Sequence, residues 1–441
     1  MPSRNRSATL EGEEPMSLIT AFRHAAVTGG ILAISVLAAN DAEPQSLIFA
    51  DGFELGSSAG WELSDEEILR ALIDMPAPGS LEISRVLEVL ARRGGLPVLT
   101  DSGAFVFAGD CGSNAVSIGG DFNSWAPTPT AHNGDLCWIE LSITVPEESG
   151  YKFFFGGNWF ADPVARRFIY DTFGELSLVR STDAHLERWL GFGPSAGLAS
   201  RELEIWVPAG GVFDRVLYLQ DGQNLFDPSA SLGGWHLQDS IPNGMLAVGI
   251  HSSLDRINEY TPWTDDLGSG PTGGQGDAYA DLVRFTIRGF IEGRYGLAPV
   301  EGVLGSSLGG LISLHIAQRF PDIFDFSASM SGTLGWGSIG PHNVTIIEHA
   351  QSAGHQGNVI YLDSGGSGTC FDGDGDGIWD DDPTATDNYC VTLQMSTVLE
   401  GVGYVFDTDL WYWWETDALH NEAAWAARVW RPLQVFDGLS Q

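Results

Sequence analysis

Beyond residue 201 the apolar residues come in short blocks: Leu203–Val207, Val216–Leu219, Met245–Ile250, Val300–Leu304, Phe326–Met330 and Val359–Leu362. Each block is four to six residues long. That is strand length rather than helix length, and a largely apolar block marks a strand covered on both faces. Between the blocks, apolar side chains recur at helical spacing over about 277–293, 308–319, 391–400 and 421–430. Strands alternating with helices predict a mostly parallel sheet with helices on both faces, an α/β fold. Before this unit the rhythm differs. From 98 to 180, short alternating segments (Gly103–Ala108, Ala115–Gly119, Cys137–Val145, Tyr151–Phe155) separated by Gly, Asn and Pro turns predict a small β-sandwich. Two amphipathic helices are predicted near 64–74 and 81–93; in the second, Ile83, Val86, Leu87 and Leu90 share a face, and Gly94-Gly95 ends it. Residues 43–62 read as a linker, and 183–200 as a connector into an α/β unit spanning 198–441.

Charge narrows the choice of partner. The 441 residues carry 58 acidic against 21 basic side chains, a formal charge of −37, and Lys152 is the single lysine. Such a surface repels phosphate, which argues against nucleic acid and against an anionic membrane. Residues 1–42 read as a leader. Arg23 and His24 precede an apolar run from Ala25 to Ala39, broken by Thr28, Gly29, Gly30 and Ser35, and Ala38, Ala39 and Ala42 offer small residues for cleavage. This is a signal-peptide pattern, too short to span a bilayer, and it predicts a secreted or periplasmic protein. Cys111, Cys137, Cys370 and Cys390 fit an oxidising compartment. Four cysteines allow three pairings, and proximity favours Cys111–Cys137 and Cys370–Cys390.

Gly-x-Ser-x-Gly occurs at Gly56–Gly60, Gly193–Gly197 and Gly305–Gly309. The third follows a predicted strand and opens a helix in which Leu308, Leu311, Ile312 and Ile316 share one face. Strand, tight turn and helix are what a nucleophilic serine needs, because the helix N-terminus supplies N–H groups for a developing oxyanion. Ser307 is therefore the predicted nucleophile. Its base should come late in the chain, after an acid. His420 fits, in a loop leading into the helix at 422–429, whereas His315 lies inside the elbow helix and His342, His349 and His355 come too early. For the acid, Asp387 at the start of a helical segment is preferred to Asp363 at a strand end.

Gly305-Ser-Ser-Leu-Gly-Gly310, Val216-Leu-Tyr-Leu-Gln-Asp-Gly-Gln-Asn-Leu-Phe-Asp227, Val248-Gly-Ile-His-Ser-Ser253 and Arg256-Ile-Asn-Glu-Tyr-Thr-Pro262 together resemble the Putative esterase family of α/β-hydrolases over about 201–437. That family includes enterochelin, feruloyl and acetylxylan esterases, S-formylglutathione hydrolase and mycolyltransferases. The resemblance implies Ser307 as nucleophile, His420 as base, and an oxyanion hole from the N–H of Leu308 with one from the Asp221-Gly222-Gln223 turn. It departs at the strand end Asp363-Ser-Gly-Gly-Ser-Gly368, where no acid follows the glycines directly and an insert begins.

The insert, Asp372-Gly-Asp-Gly-Asp-Gly-Ile-Trp-Asp380, resembles the calcium loops of thrombospondin type-3 and EF-hand-like repeats. It implies Asp372, Asp374, Asp376 and Asp380 as ligands with the Ile378 carbonyl, although Pro383 stands where the bidentate Glu belongs. Any Ca²⁺ would be structural, and no cofactor is expected for catalysis. In the small domain, Val116–Trp125, Tyr151–Phe155 and Asn158–Pro163 resemble the glycogen-binding, isoamylase N-terminal-like family of immunoglobulin-like modules. That implies sugar stacking on Trp125 and Trp159 with Lys152 as donor. The expected function is a secreted serine carboxylic ester hydrolase working through an acyl-enzyme on carbohydrate-linked feruloyl or acetyl esters. A siderophore trilactone esterase and a carbohydrate-binding protein with an inactive hydrolase domain are the alternatives.

Overall fold

The computed structural model describes residues 63–230, 233–381 and 387–439, with a two-residue strand pair at Ile34–Ser35 and Ile48–Phe49. The expected signal-peptide cleavage sites lie outside the described residues. Two helices come first, α1 (Asp65–Asp74) and α2 (Ser80–Arg92). Ser64 caps α1 through the Glu67 N–H while Glu67 returns a bond to the Ser64 N–H, which satisfies two otherwise orphaned donors.

The β-rich stretch follows as β1 (Val98–Leu99), β2 (Phe105–Asp110), β3 (Ser117–Gly120), β4 (Thr128–Pro129), β5 (Ala131–Asn133), β6 (Leu136–Leu141), β7 (Gly150–Phe155), β8 (Asn158–Phe160), β9 (Arg167–Asp171), β10 (Gly174–Leu178) and β11 (His185–Phe192). One antiparallel sheet runs β1-β2-β6-β5. On β2 the side chains alternate. Phe105 and Phe107 pack with Ile118 of β3 and Tyr151 and Phe153 of β7, whereas Val106 and Ala108 pack with Leu69 and Val86 of the two helices. The second sheet layer is therefore β3 and β7 with their neighbours. Both expected disulfides are present, Cys111–Cys137 and Cys370–Cys390.

The expected connector is not one. Residues 185–192 form β11, which pairs with β9 on one side and antiparallel with β12 (Arg201–Val207) on the other. Through β11 the β-rich layer continues into the main sheet without a break. The remaining strands are β13 (Arg215–Gln220), β14 (Met245–Ile250), a β15–β16 hairpin (Thr264–Asp266, Pro271–Gly273), β17 (Val300–Ser306), β18 (Phe326–Met330), β19 (Val359–Ser364) and β20 (Leu410–Trp414). The order is β20-β19-β18-β17-β13-β14-β12-β11, parallel from β20 to β14 and antiparallel at β12. Along β13, Val216 and Tyr218 enter one apolar core and Leu217 and Leu219 the other, so both faces are covered. The covering helices are α3 (Arg256–Glu259), α4 (Gly276–Asp281), α5 (Arg288–Tyr295), α6 (Leu308–Arg319), α7 (Ile346–Ala353), α8 (Tyr389–Gly401), α9 (Glu422–Ala426) and α10 (Trp430–Asp437). The segment expected as one helix at 421–430 is thus the start of two.

Candidate active site

Ser307 sits between β17 and α6 with φ 57° and ψ −127°, a backbone conformation that non-glycine residues rarely adopt. The turn is possible because its flanks have no side chains. A Cβ on Gly305 would stand 2.4 Å from the Gly309 carbonyl oxygen. A strand-to-helix turn of this kind is the conformation a nucleophilic serine requires. Of the other two Gly-x-Ser-x-Gly segments, 193–197 forms a short 3₁₀ turn between β11 and β12, and 56–60 lies outside the described residues.

The structure brings Ser307, His420 and Asp387 into one line. His420 Nε2 is 3.0 Å from Ser307 Oγ, and its Nδ1 is 2.6 Å from Asp387 Oδ1. The ring is partly exposed while the Asp387 carboxylate is fully buried. Trp425 packs edge-on against the imidazole, with ring centroids 5.0 Å apart. Such an arrangement lets the imidazole take the serine proton while the carboxylate fixes its tautomer.

Asp387 is itself held by residues that sequence reasoning missed. Its Oδ2 accepts from Ser331 Oγ at 2.7 Å and from the Gly365 N–H. Ser331 Oγ in turn accepts from Arg428 Nη2 (2.6 Å) and Trp425 Nε1 (3.1 Å). The Arg428 guanidinium is buried and also donates through Nε to Asp363 Oδ1 at 3.0 Å. Asp363, the less favoured candidate acid, thus faces Arg428 and the Tyr361 hydroxyl, and no hydrogen bond joins it to His420. Burial pushes its carboxyl up to about 6, against the pull of Arg428. A lone arginine in the turn between α9 and α10 carries no sequence signal for this role.

The turn after β13 faces the serine. Asp221 adopts φ 57°, and its carboxylate receives two hydrogen bonds from Arg256, at 2.7 and 2.8 Å. The Gln223 side chain is tied reciprocally to Ser252, at 2.8 and 3.0 Å. Glu422, two residues past His420, accepts from Asn224 Nδ2 and Trp235 Nε1, and burial pushes its carboxyl up. The turn and the histidine loop are therefore one hydrogen-bonded unit. The backbone N–H groups of Leu308 and Gln223 have no acceptor among the described residues. Gly222 is required in this turn, because a Cβ there would stand 2.6 Å from the Gly249 carbonyl carbon and 2.8 Å from His251 Cδ2. On the oxyanion role expected of this turn, Gly222→Ala should lower kcat by roughly 10²–10³-fold, the cost of losing one such donor. Steady-state hydrolysis of p-nitrophenyl acetate, with a melt to confirm folding, checks this.

The family model described as Putative esterase matches residues 208–428, which is half of the 441-residue chain. The chain belongs to that family. Uncharacterized protein YbbA of Bacillus subtilis (strain 168) is 31% identical over 123 residues, covering 26% of this chain and 49% of the relative. The chain therefore spans about half the length of the curated relative it matches. Among solved structures, the enterobactin esterase FES from Shigella flexneri is 13% identical with a TM-score of 0.41, covering 76% of this chain and 93% of its own. An IroE-like serine hydrolase from Shewanella oneidensis is 17% identical (TM-score 0.44; 57% and 80%). The siderophore hydrolase EstA from Aspergillus nidulans is 15% identical (TM-score 0.42; 57% and 94%).

Two further expectations for this esterase-family chain fare differently. In the acidic insert, carboxylate oxygens of Asp372, Asp374 and Asp376 lie within 4.8 Å of one another. Asp380 is not among them and accepts from the Gly373 N–H, and Ile378 buries its side chain in the core. Asp376 also receives Ser338 Oγ and faces His342 Nδ1 at 3.1 Å, so the loop is docked on the main unit. In the β-rich layer, Trp125 and Trp159 stand edge to face, centroids 5.6 Å apart and planes at 76°. Lys152 does not join them as a donor to solvent. It is buried, and its ammonium donates to the Phe173 carbonyl at 2.9 Å.

Proposed function

We propose that the protein is a serine carboxylic ester hydrolase that works through an acyl-enzyme. The observation that carries this reading is the continuous Ser307–His420–Asp387 hydrogen-bonded line. His420 Nε2 takes the Ser307 proton as Oγ bonds to the ester carbonyl carbon. The carbonyl oxygen gains negative charge and lies against the N–H groups of Leu308 and Gln223, in a turn kept in place by Gly222. Collapse expels the alcohol, protonated by His420, and leaves an acyl-Ser307. Water then repeats the sequence, giving up its proton to His420, and releases the acid. Esterase-family membership supports this reading. The test is mass spectrometry of the chain after a fluorophosphonate probe, with the adduct expected on the peptide carrying Ser307 and absent after Ser307→Ala.

The ester class is a separate step. With Lys152 spent on Phe173 and the two tryptophans set edge to face, the residues expected to present a flat sugar platform supply less than the polysaccharide-ester reading needs. An immunoglobulin-like, glycogen-binding role for the β-rich layer then rests on Trp159, 39% exposed. A small-molecule ester of the siderophore trilactone class asks nothing of that surface and is the favoured reading. Relative kcat/KM on enterobactin, methyl ferulate and acetylated xylan decides it, and xylan ahead of enterobactin would restore the carbohydrate reading. The two disulfides support a secreted or periplasmic location. Among the described residues no helix is long and apolar enough to cross a membrane.

For the insert we propose a structural Ca²⁺ held by the oxygens of Asp372, Asp374 and Asp376, a hard donor set that suits that ion. An ion that binds only the folded state stabilises it by about 2.7 kcal/mol at a hundredfold excess over Kd. The melting temperature in millimolar calcium should therefore exceed that in EDTA by several degrees, with magnesium a poor substitute. Superimposable melts at equal ionic strength would leave a solvated acidic loop.

A further inference from the structure

A second group of metal-ligating side chains lies apart from both the triad and the insert. Glu202 and Glu204 stand two positions apart on β12 and project from the same face. His251 follows β14, and its N–H donates to the Glu202 carbonyl, which carries the imidazole onto that face. One carboxylate oxygen of each glutamate and one ring nitrogen of His251 lie within 4.8 Å of one another.

The polar atoms of this group are not spent on each other. Glu204 is 6% exposed, and its carboxylate accepts no hydrogen bond among the described residues. His251 Nε2 is buried and likewise without a hydrogen-bond partner. It stands 3.8 Å from Glu204 Oε1, too far for a hydrogen bond. Two ligand atoms bridged by a zinc-sized ion, each about 2.0–2.2 Å from it, sit at a separation of this order after a small inward movement. The nearby cation is Arg188, whose Nε is 2.7 Å from Glu202 Oε1 and whose two terminal nitrogens take Glu175 at 3.2 and 3.0 Å. Three carboxylates (Glu175, Glu202, Glu204) against one guanidinium leave two negative charges. That is the complement of one divalent cation, and it leaves the second oxygen of Glu202 free to bind it.

We propose that Glu202, Glu204 and His251 form a binding site for a divalent transition-metal ion of the zinc class. One imidazole with two carboxylates selects zinc over calcium or magnesium, which take oxygen donors alone. The ion would fix the His251 ring, and that ring is the surface on which the Gly222 turn rests: a Cβ on Gly222 would meet His251 Cδ2 at 2.8 Å. The site is thus placed to stiffen the turn that carries Gln223.

The test uses the full chain, stripped with EDTA, dialysed, and titrated calorimetrically with zinc chloride in excess calcium. One equivalent of zinc is expected. His251→Gln and Glu204→Gln should each weaken it by at least about 100-fold, and Asp374→Asn in the insert should leave it unchanged. Cobalt(II) added to the unsubstituted chain should show the visible bands of a four- or five-coordinate site, lost on adding zinc. The proposal is overturned by no zinc uptake, by the spectrum of aqueous cobalt alone, or by undiminished binding in the folded variants. None of these readouts involves turnover, so an error in assigning the triad would leave them intact, and the reverse.

Discussion

Ser307→Ala is expected to lower kcat on p-nitrophenyl acetate by on the order of 10⁴–10⁶-fold while the chain keeps its fold. The size follows from what the hydroxyl does: without Oγ no acyl-enzyme forms, and His420 has no proton to remove. What survives is the slow attack of water in a site that still binds the substrate and its oxyanion, which is worth about 10³-fold over solution. The fold should be indifferent. Alanine keeps the Cβ, so the strained φ of 57° is neither relieved nor worsened. The hydroxyl bonds to His420 Nε2 at 3.0 Å, with only a long 3.5 Å contact to Thr333 Oγ1. Both partners can turn to water at the mouth of the site, so no buried group is orphaned. The melting temperature should move by no more than a degree or two. A variant within tenfold of the unsubstituted rate would show that the nucleophile lies elsewhere, with Ser195 in the 194–196 turn the next to examine.

The parts of this site differ in how plainly they can be read in the sequence. Ser307 is legible because local rules specify it: an apolar strand, two glycines that a side chain would block, then an amphipathic helix. His420 follows from chain order, and Asp387, 33 residues before it, from its place ahead of a helix. By contrast β11 is hidden. Its sequence, His-Leu-Glu-Arg-Trp-Leu-Gly-Phe, puts charges in the interior, and they are tolerated only through distant partners. Glu187 pairs with Arg167, and Arg188 with Glu175 and Glu202. An alternation rule that expects polar residues in water reads such a strand as a loop. The same holds for Ser331, Arg428 and Glu422. Each acts across more than fifty residues of chain, through bonds that exist only once the sheet is assembled. Lys152 fails in the opposite direction, because a surface role was expected of a side chain that the fold buries.

Asp387→Asn and Asp363→Asn should separate the carboxylate that faces His420 from the one that faces Arg428. At 387 the amide would offer an N–H to His420 Nδ1, leaving the ring's own proton on Nε2 and aimed at Ser307. The base would then be blocked in its ground state, and kcat should fall by about 10⁴-fold. Stability should fall less steeply, since Oδ2 can still accept from Ser331 and the Gly365 N–H if the amide oxygen takes that side. At 363 the pattern inverts. Arg428 is buried and pairs there at 3.0 Å, so removing the charge leaves a guanidinium short of its partner, a loss of roughly 3–5 kcal/mol when a buried pair is broken. The melt should drop sharply, while the rate per folded molecule stays within about tenfold, because His420 keeps its own acid. Rates normalised by active-site titration, taken with melts of both variants, distinguish the two outcomes. A larger loss of normalised rate at 363 than at 387 would move the acid to the end of β19. Such a result would also require His420 to leave the Asp387 Oδ1 position at which it stands 2.6 Å away.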